Sequence, residues 1–149
     1  MSSRPLLPSV LIVDDSDTDR YILRRMLERS ETTERIFEAT NGAAGLELLK
    51  GFHANDPEGK SEECPAIVFL DINMPVMNGF EFLDAFAELR QEGACRSVVL
   101  VMFTSSTHPD DRAAATRYDF VHGYLTKMPA SPDALRELVS EALAASTEA

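Results

Sequence analysis

The chain has 149 residues, a formal net charge of -11 and 44% hydrophobic residues, the size and apolar content of one ordinary domain. The acidic balance argues against direct binding of nucleic acid, whose phosphates are neutralised by clustered Lys and Arg, and no apolar stretch approaches the roughly 20 residues that a membrane span needs. The opening "MSSRPLLPSV" has neither an apolar signal core nor a small-residue cleavage signal, so a cytoplasmic protein is expected.

Apolar runs of strand length alternate with stretches of helical period, which predicts an α/β fold with a parallel sheet covered by helices. The first strand is "SVLIVD" at 9 to 14, and a helix follows near 17 to 29 with Ile22, Leu23, Met26 and Leu27 as its apolar stripe. "ERIFEAT" at 34 to 40 alternates as a shorter strand, and "NGAAGLELLKGF" at 41 to 52 reads as the second helix. "HANDPEGKSEECP" at 53 to 65 is rich in turn formers and charge and reads as a solvated loop inserted before the third strand.

"AIVFLD" at 66 to 71 is continuously apolar, the mark of a strand buried on both faces. A third helix is expected at 78 to 91 with Phe82, Phe86 and Leu89 inward, and Pro75 and Gly79 suit a tight connection into it. "SVVLVMFT" at 97 to 104 is the fourth strand. "THPDDRAAATRYDF" then opens a helix, with Pro109 suited to the first turn and Asp110 and Asp111 complementing the helix dipole. "HGYLTK" at 122 to 127 is a brief fifth strand, and Ser131, Pro132 and Asp133 start a last helix lined by Leu135, Leu138, Val139 and Ala142. Five strand-helix pairs fit the length, so one domain is expected over 1 to 149, with its core at about 9 to 145 and no effector domain.

In such a sheet the strand C-termini open on one edge, where ligands collect at the point of strand-order reversal. Asp14 and Asp15 end the first strand, Asp71 the third, Thr104 the fourth and Lys127 the fifth. Two carboxylates about 4 Å apart repel by roughly 4 kcal/mol at an effective dielectric near 20, and a third adds to the conflict. A hard divalent cation removes that penalty: Mg2+ takes oxygen ligands from one or two carboxylates and shares phosphate oxygens with a substrate. Lys127 and Thr104 offer an ammonium and a hydroxyl suited to a phosphoryl group. Acidic residues ahead of a helix are by themselves commonplace caps, but capping leaves a third acid at a neighbouring strand end unexplained.

Four motifs at successive strand ends, "LIVDDS", "FLDINMPVMNGFEFL", "VMFTSS" and "GYLTK", resemble in order those of the receiver domains of two-component response regulators, over nearly all of residues 9 to 145. The resemblance implies a doubly wound, flavodoxin-like (βα)5 fold and a phosphoacceptor switch that catalyses only its own phosphorylation and dephosphorylation. It implies Asp71 as the acceptor of a phosphoryl group from a histidine kinase. Mg2+ would be held by Asp14, Asp15, Asp71 and the main-chain carbonyl of Asn73. Lys127 would pair with Asp71 or its phosphate, Thr104 would bond the phosphoryl oxygen, and Tyr124 would change rotamer with Thr104.

Most receivers follow that Lys directly with Pro, whereas here Met128 precedes Pro129. This feature and the lengthened loop before the third strand are similar to single-domain regulators of phytochrome-type histidine kinases, a subgroup that tends to form homodimers. A histidine phosphotransfer protein is an alternative recipient of the phosphate. A haloacid-dehalogenase-like phosphatase would need a second acid two residues after the nucleophile, where Asn73 stands. A dinucleotide site would need a GxGxxG after the first strand, which is missing. A degenerate receiver serving only as a docking surface would lack reactive positions that are all filled here. Cys64 and Cys95 have neither CxxC spacing nor a neighbouring His and read as two reduced structural thiols, and His53, His108 and His122 show no ligand spacing.

Overall fold

The computed structural model describes residues 7–55, 64–127 and 131–147. Ten elements alternate along the chain: β1 (Leu7–Val13), α1 (Asp17–Arg29), β2 (Thr33–Ala39), α2 (Gly42–Asn55), β3 (Ile67–Leu70), α3 (Gly79–Gln91), β4 (Val99–Thr104), α4 (Pro109–Thr116), β5 (Val121–Thr126) and α5 (Pro132–Thr147). The strands form one parallel sheet in the order β2-β1-β3-β4-β5, so the order reverses between β1 and β3.

Period-two alternation divides the core between the two faces of the sheet. Leu11 and Val13 of β1, Val68 and Leu70 of β3 and Leu100 and Met102 of β4 pack with α2, α3 and α4 through Leu46, Leu49, Phe82, Leu83, Phe86 and Ala115. Val10, Ile12, Ile67, Phe69, Val99, Val101 and Phe103 pack on the other face against Leu23, Met26 and Leu27 of α1 and Leu135, Val139 and Ala142 of α5. Every residue of β3 and β4 is buried, which is why both read as unbroken apolar runs.

Local chemistry starts the helices where the sequence marks them. Ser16 caps α1 by accepting from Asp19 N at 3.1 Å, and Ser131 Oγ accepts from Ala134 N at 3.1 Å at the start of α5. Asn78 and Glu81 form a reciprocal capping box on α3, each side chain accepting from the other's backbone N–H at 2.9 Å. His108 takes a structural role as the cap of α4, its Nδ1 accepting from Asp110 N at 3.2 Å, with Pro109 directly behind it.

Two expectations are corrected. Ile22 is not part of the buried stripe of α1 but 46% exposed. The buried residues are Arg20, Leu23, Met26 and Leu27, and at about 100° per residue Ile22 falls beyond Met26. It lies on the edge of that face away from Arg20, whose guanidinium donates to Glu38 and to the Asp14 carbonyl. The second helix does not stop at 52 but runs to Asn55, taking His53, Ala54 and Asn55 from the expected loop, whose residues 56–63 lie outside those described.

Candidate functional site

The register determines what meets at the strand ends. Val13 pairs with Leu70, so the residues that follow, Asp14 and Asp71, emerge side by side at the β1/β3 reversal. Their backbones are fixed by neighbouring strands: Asp14 N donates to Ala39 O and Asp71 N donates to Val13 O, each at 3.1 Å. Thr104 pairs with Thr126, and the next residue, Lys127, donates its backbone N–H to Thr104 O at 2.8 Å.

The turn after β3 allows nothing bulkier than glycine where α3 begins. A Cβ on Gly79 would lie 2.5 Å from the Asp71 carbonyl oxygen and 2.8 Å from Ile72 Cα, while Gly79 N donates to Ile72 O at 2.8 Å. The start of α3 therefore presses directly on the backbone of Asp71, and a methyl group there would force a shift costing about 1–3 kcal/mol.

Around this edge the carboxylate oxygens of Asp14, Asp15 and Asp71 lie within 4.8 Å of one another, with Asp14 and Asp71 buried and Asp15 exposed. Lys127 Nζ, on a side chain only 10% exposed, reaches Asp14 Oδ2 at 2.7 Å, Asp19 Oδ2 at 2.7 Å and Asp71 Oδ2 at 3.2 Å. The remaining oxygens of the two buried acids are also engaged: Asp14 Oδ1 accepts from Ser16 N at 2.9 Å, and Asp71 Oδ1 from Ile72 N at 2.8 Å. Asp19 was not singled out by sequence reasoning. Its only signal there is a second acid in the first turn of α1, which the helix dipole already accounts for.

Three carboxylates thus share one ammonium, with a fourth, Asp15, in the same acidic cluster, and the electrostatics show the surplus. Burial pushes the Asp14 carboxyl above the ordinary carboxylate range, outweighing the hydrogen bonds from Lys127 and Ser16, and Asp71 pushes in the same direction. Burial alone would lower Lys127, but its hydrogen bonds to Asp14 and Asp19, with the charge of Asp71, hold it above the ordinary lysine range. An all-oxygen donor set with excess negative charge fits a hard divalent cation such as Mg2+ and suits neither Zn2+ nor a soft metal.

Thr104 is fully buried, and its Oγ1 accepts from Ser106 N at 3.2 Å. Tyr124 is buried beside it in β5, donating its hydroxyl to Ser106 O at 3.0 Å beneath the guanidinium of Arg112, which lies 5.3 Å from the ring centre. Ser106 Oγ in turn donates to Asp111 Oδ2 on α4 at 2.6 Å. Asn73 is exposed in the turn after Asp71, while Met128 and Pro129 lie outside the described residues.

A doubly wound parallel sheet with acids crowded at its reversal point and a lysine from the last strand defines the receiver class of α/β proteins. The structural comparison agrees: a two-component response regulator from Cytophaga hutchinsonii superimposes with a TM-score of 0.78 at 29% identity, covering 93% of this chain and 98% of that one. A sequence profile of the response regulator receiver domain matches residues 10–140, and the chain belongs to that family. It is 30% identical over 135 residues to protein PilH of Pseudomonas aeruginosa, covering 91% of this chain and 97% of PilH. It is also 33% identical over 134 residues to the sensor histidine kinase CheAY of Helicobacter pylori, covering 90% of this chain but spanning only 15% of that kinase.

Proposed function

We propose that the chain is a phosphoacceptor switch in which the Asp71 carboxylate takes a phosphoryl group from a phosphohistidine of a histidine kinase. The observation that carries this reading is the buried Asp71 carboxylate with Lys127 Nζ at 3.2 Å and Asp14 and Asp15 within the same 4.8 Å cluster. An Asp oxygen attacks phosphorus, the O–P bond forms as the N–P bond breaks, and the departing imidazole keeps the electron pair and takes a proton. The protein's part is position and charge, not proton chemistry at the acceptor.

Asp14, Asp15 and Asp71, with the main-chain carbonyl of Asn73, would hold Mg2+, which when bound neutralises charge on the transferring phosphoryl group. Lys127 supplies a second positive charge to the phosphoryl oxygens, and Thr104 a hydroxyl donor. Tyr124, whose hydroxyl donates to the Ser106 carbonyl, would change rotamer when Thr104 turns toward the new acceptor. The family match favours this switch over a haloacid-dehalogenase-like phosphatase, as does Asn73 where that enzyme needs its second acid.

The test is incubation with acetyl phosphate and Mg2+, followed by intact mass. One added phosphoryl group is expected, not formed when Mg2+ is chelated beforehand and absent from Asp71→Asn; an adduct that persists in Asp71→Asn overturns the assignment. Met128 after Lys127 and the segment before β3 support a phytochrome-type histidine kinase as donor and a homodimer as the working form, with onward transfer to a histidine phosphotransfer protein as the alternative output. A monomer in light scattering at high concentration, with and without a phosphoryl analogue, counts against the dimer. The domain carries its own chemistry without an effector segment within residues 9 to 145, and the cytoplasm, where the kinase domain would meet it, is its place of action. Among the described residues no helix is long and apolar enough to cross a membrane.

A further inference from the structure

Far from the acid-lined edge, the fold brings together the chain's two cysteines, which stand 31 positions apart in the sequence. Cys64 Sγ and Cys95 Sγ lie 3.1 Å from each other with no disulfide between them. Cys64 precedes β3 and is half-buried, whereas Cys95 is buried in the turn between α3 and β4, its Sγ 3.7 Å from the Leu49 carbonyl oxygen. That turn is held from several sides. Ala94 N donates to Leu89 O at 2.9 Å, and Arg90 Nη1 donates to the carbonyls of Cys95, Arg96 and Val98 at 3.0–3.3 Å. Cys95 itself sits at φ 51°, a left-handed conformation that side-chain-bearing residues adopt only when their surroundings impose it.

We propose that Cys64 and Cys95 are a dithiol modification site, converted by hydrogen peroxide into an intrachain disulfide that ties the start of β3 to the α3–β4 turn. The Cys64 thiolate attacks one peroxide oxygen; the O–O bond breaks, an S–O bond forms, and the departing hydroxide is protonated to water, leaving a sulfenic acid. Cys95 sulfur then attacks Cys64 sulfur; the S–S bond forms, the S–O bond breaks, and the Cys95 proton leaves with the hydroxide as a second water. Two electrons pass from the thiols to the peroxide. The more exposed Cys64 reacts first, and Cys95 resolves. The hydrogen bond with Cys64 and burial both hold the Cys95 thiol well above its ordinary range, so Cys95 is not the sulfur that meets peroxide first.

The bond would close a loop containing β3, the phosphoacceptor candidate Asp71 and α3, a constraint acting mainly on the unfolded chain. For a loop of this length in a chain of this size the midpoint of thermal unfolding should rise by about 10 °C. The site does not depend on phosphotransfer, so Asp71→Asn must cross-link as the wild type does, whatever becomes of the phosphoacceptor reading.

The experiment treats the full chain with stoichiometric hydrogen peroxide, then denatures it and adds N-ethylmaleimide. Reduced protein takes up two labels. Oxidised protein is expected to take none, to weigh two hydrogens less, to remain monomeric on a non-reducing gel, to melt higher, and to revert with dithiothreitol. Full labelling after peroxide, over-oxidation of Cys64 to a sulfinic acid, or interchain dimers would each overturn the proposal. Cys64→Ser, changed at the more exposed position to spare the core, should leave Cys95 open to one label; the same two-hydrogen loss in that variant would also overturn it.

Discussion

Asp19 shows how little of a site a charge announces before the chain folds. It stands in the first turn of α1, 108 positions before the lysine whose ammonium it holds at 2.7 Å. Asp14, Asp15, Asp71, Thr104 and Lys127 were legible because each ends a strand-like run, and a parallel sheet collects such ends on one edge. Asp19 ends no strand, so no periodicity marked it. Cys64 and Cys95 were missed as a pair for a similar reason: only the approach of the α3–β4 turn to the start of β3 joins them. Because Asp19 adds a negative charge beside a site that must admit an anionic donor, neutralising it should help. We expect Asp19→Asn to speed phosphorylation by acetyl phosphate about fivefold, the worth of about 1 kcal/mol, and to release part of the hold on Lys127. Stopped-flow or mass-resolved time courses at low salt would check this, and a slower reaction would mean that Asp19 serves to position Lys127.

At the scale of elements, apolar period placed all ten helices and strands within a few residues. The misses came at edges: the buried stripe of α1 ends at Met26, short of Ile22, and α2 runs on to Asn55. On the other edge of α1 a polar residue is buried, because the Arg20 guanidinium finds Glu38 and the Asp14 carbonyl. A similar polar tie joins α3 to the segment entering β5: the Tyr118 hydroxyl donates to Asp84 Oδ1 at 2.6 Å. Burial and the Asp84 carboxylate together push this phenol from 10.0 up to about 12. A raised acid favours the folded state while it is protonated. Its contribution is fully present below pH 10.0 and is lost as pH rises through about 12, where a phenolate would face a carboxylate. An ultraviolet titration should therefore show a late tyrosine step from Tyr118, and Tyr118→Phe should remove that step and flatten the alkaline loss of stability between those two values. A late step surviving in Tyr118→Phe would assign it elsewhere.

For the molecule as a whole, a net charge of -11 and a cluster of acids in which three carboxylates share one ammonium and a fourth stands nearby mean that the metal-free fold carries internal repulsion at neutral pH. A cation that binds only the folded arrangement should relieve it. At about a hundred times its dissociation constant, Mg2+ should stabilise the fold by about 2.7 kcal/mol, or roughly 5–10 °C in thermal midpoint. Chelation should return the midpoint to its starting value, and Asp14→Asn should respond far less; a wild-type midpoint indifferent to Mg2+ in calorimetry would remove the metal from this site. The hydrogen bond from Lys127 N to Thr104 O has a consequence at this scale. It splices the tips of β4 and β5, so the residue carrying the ammonium and the residue carrying the hydroxyl form one lever. A tug on either is shared by both, and the Ser106 contacts to Tyr124 and Asp111 carry it to the flank where α4 begins.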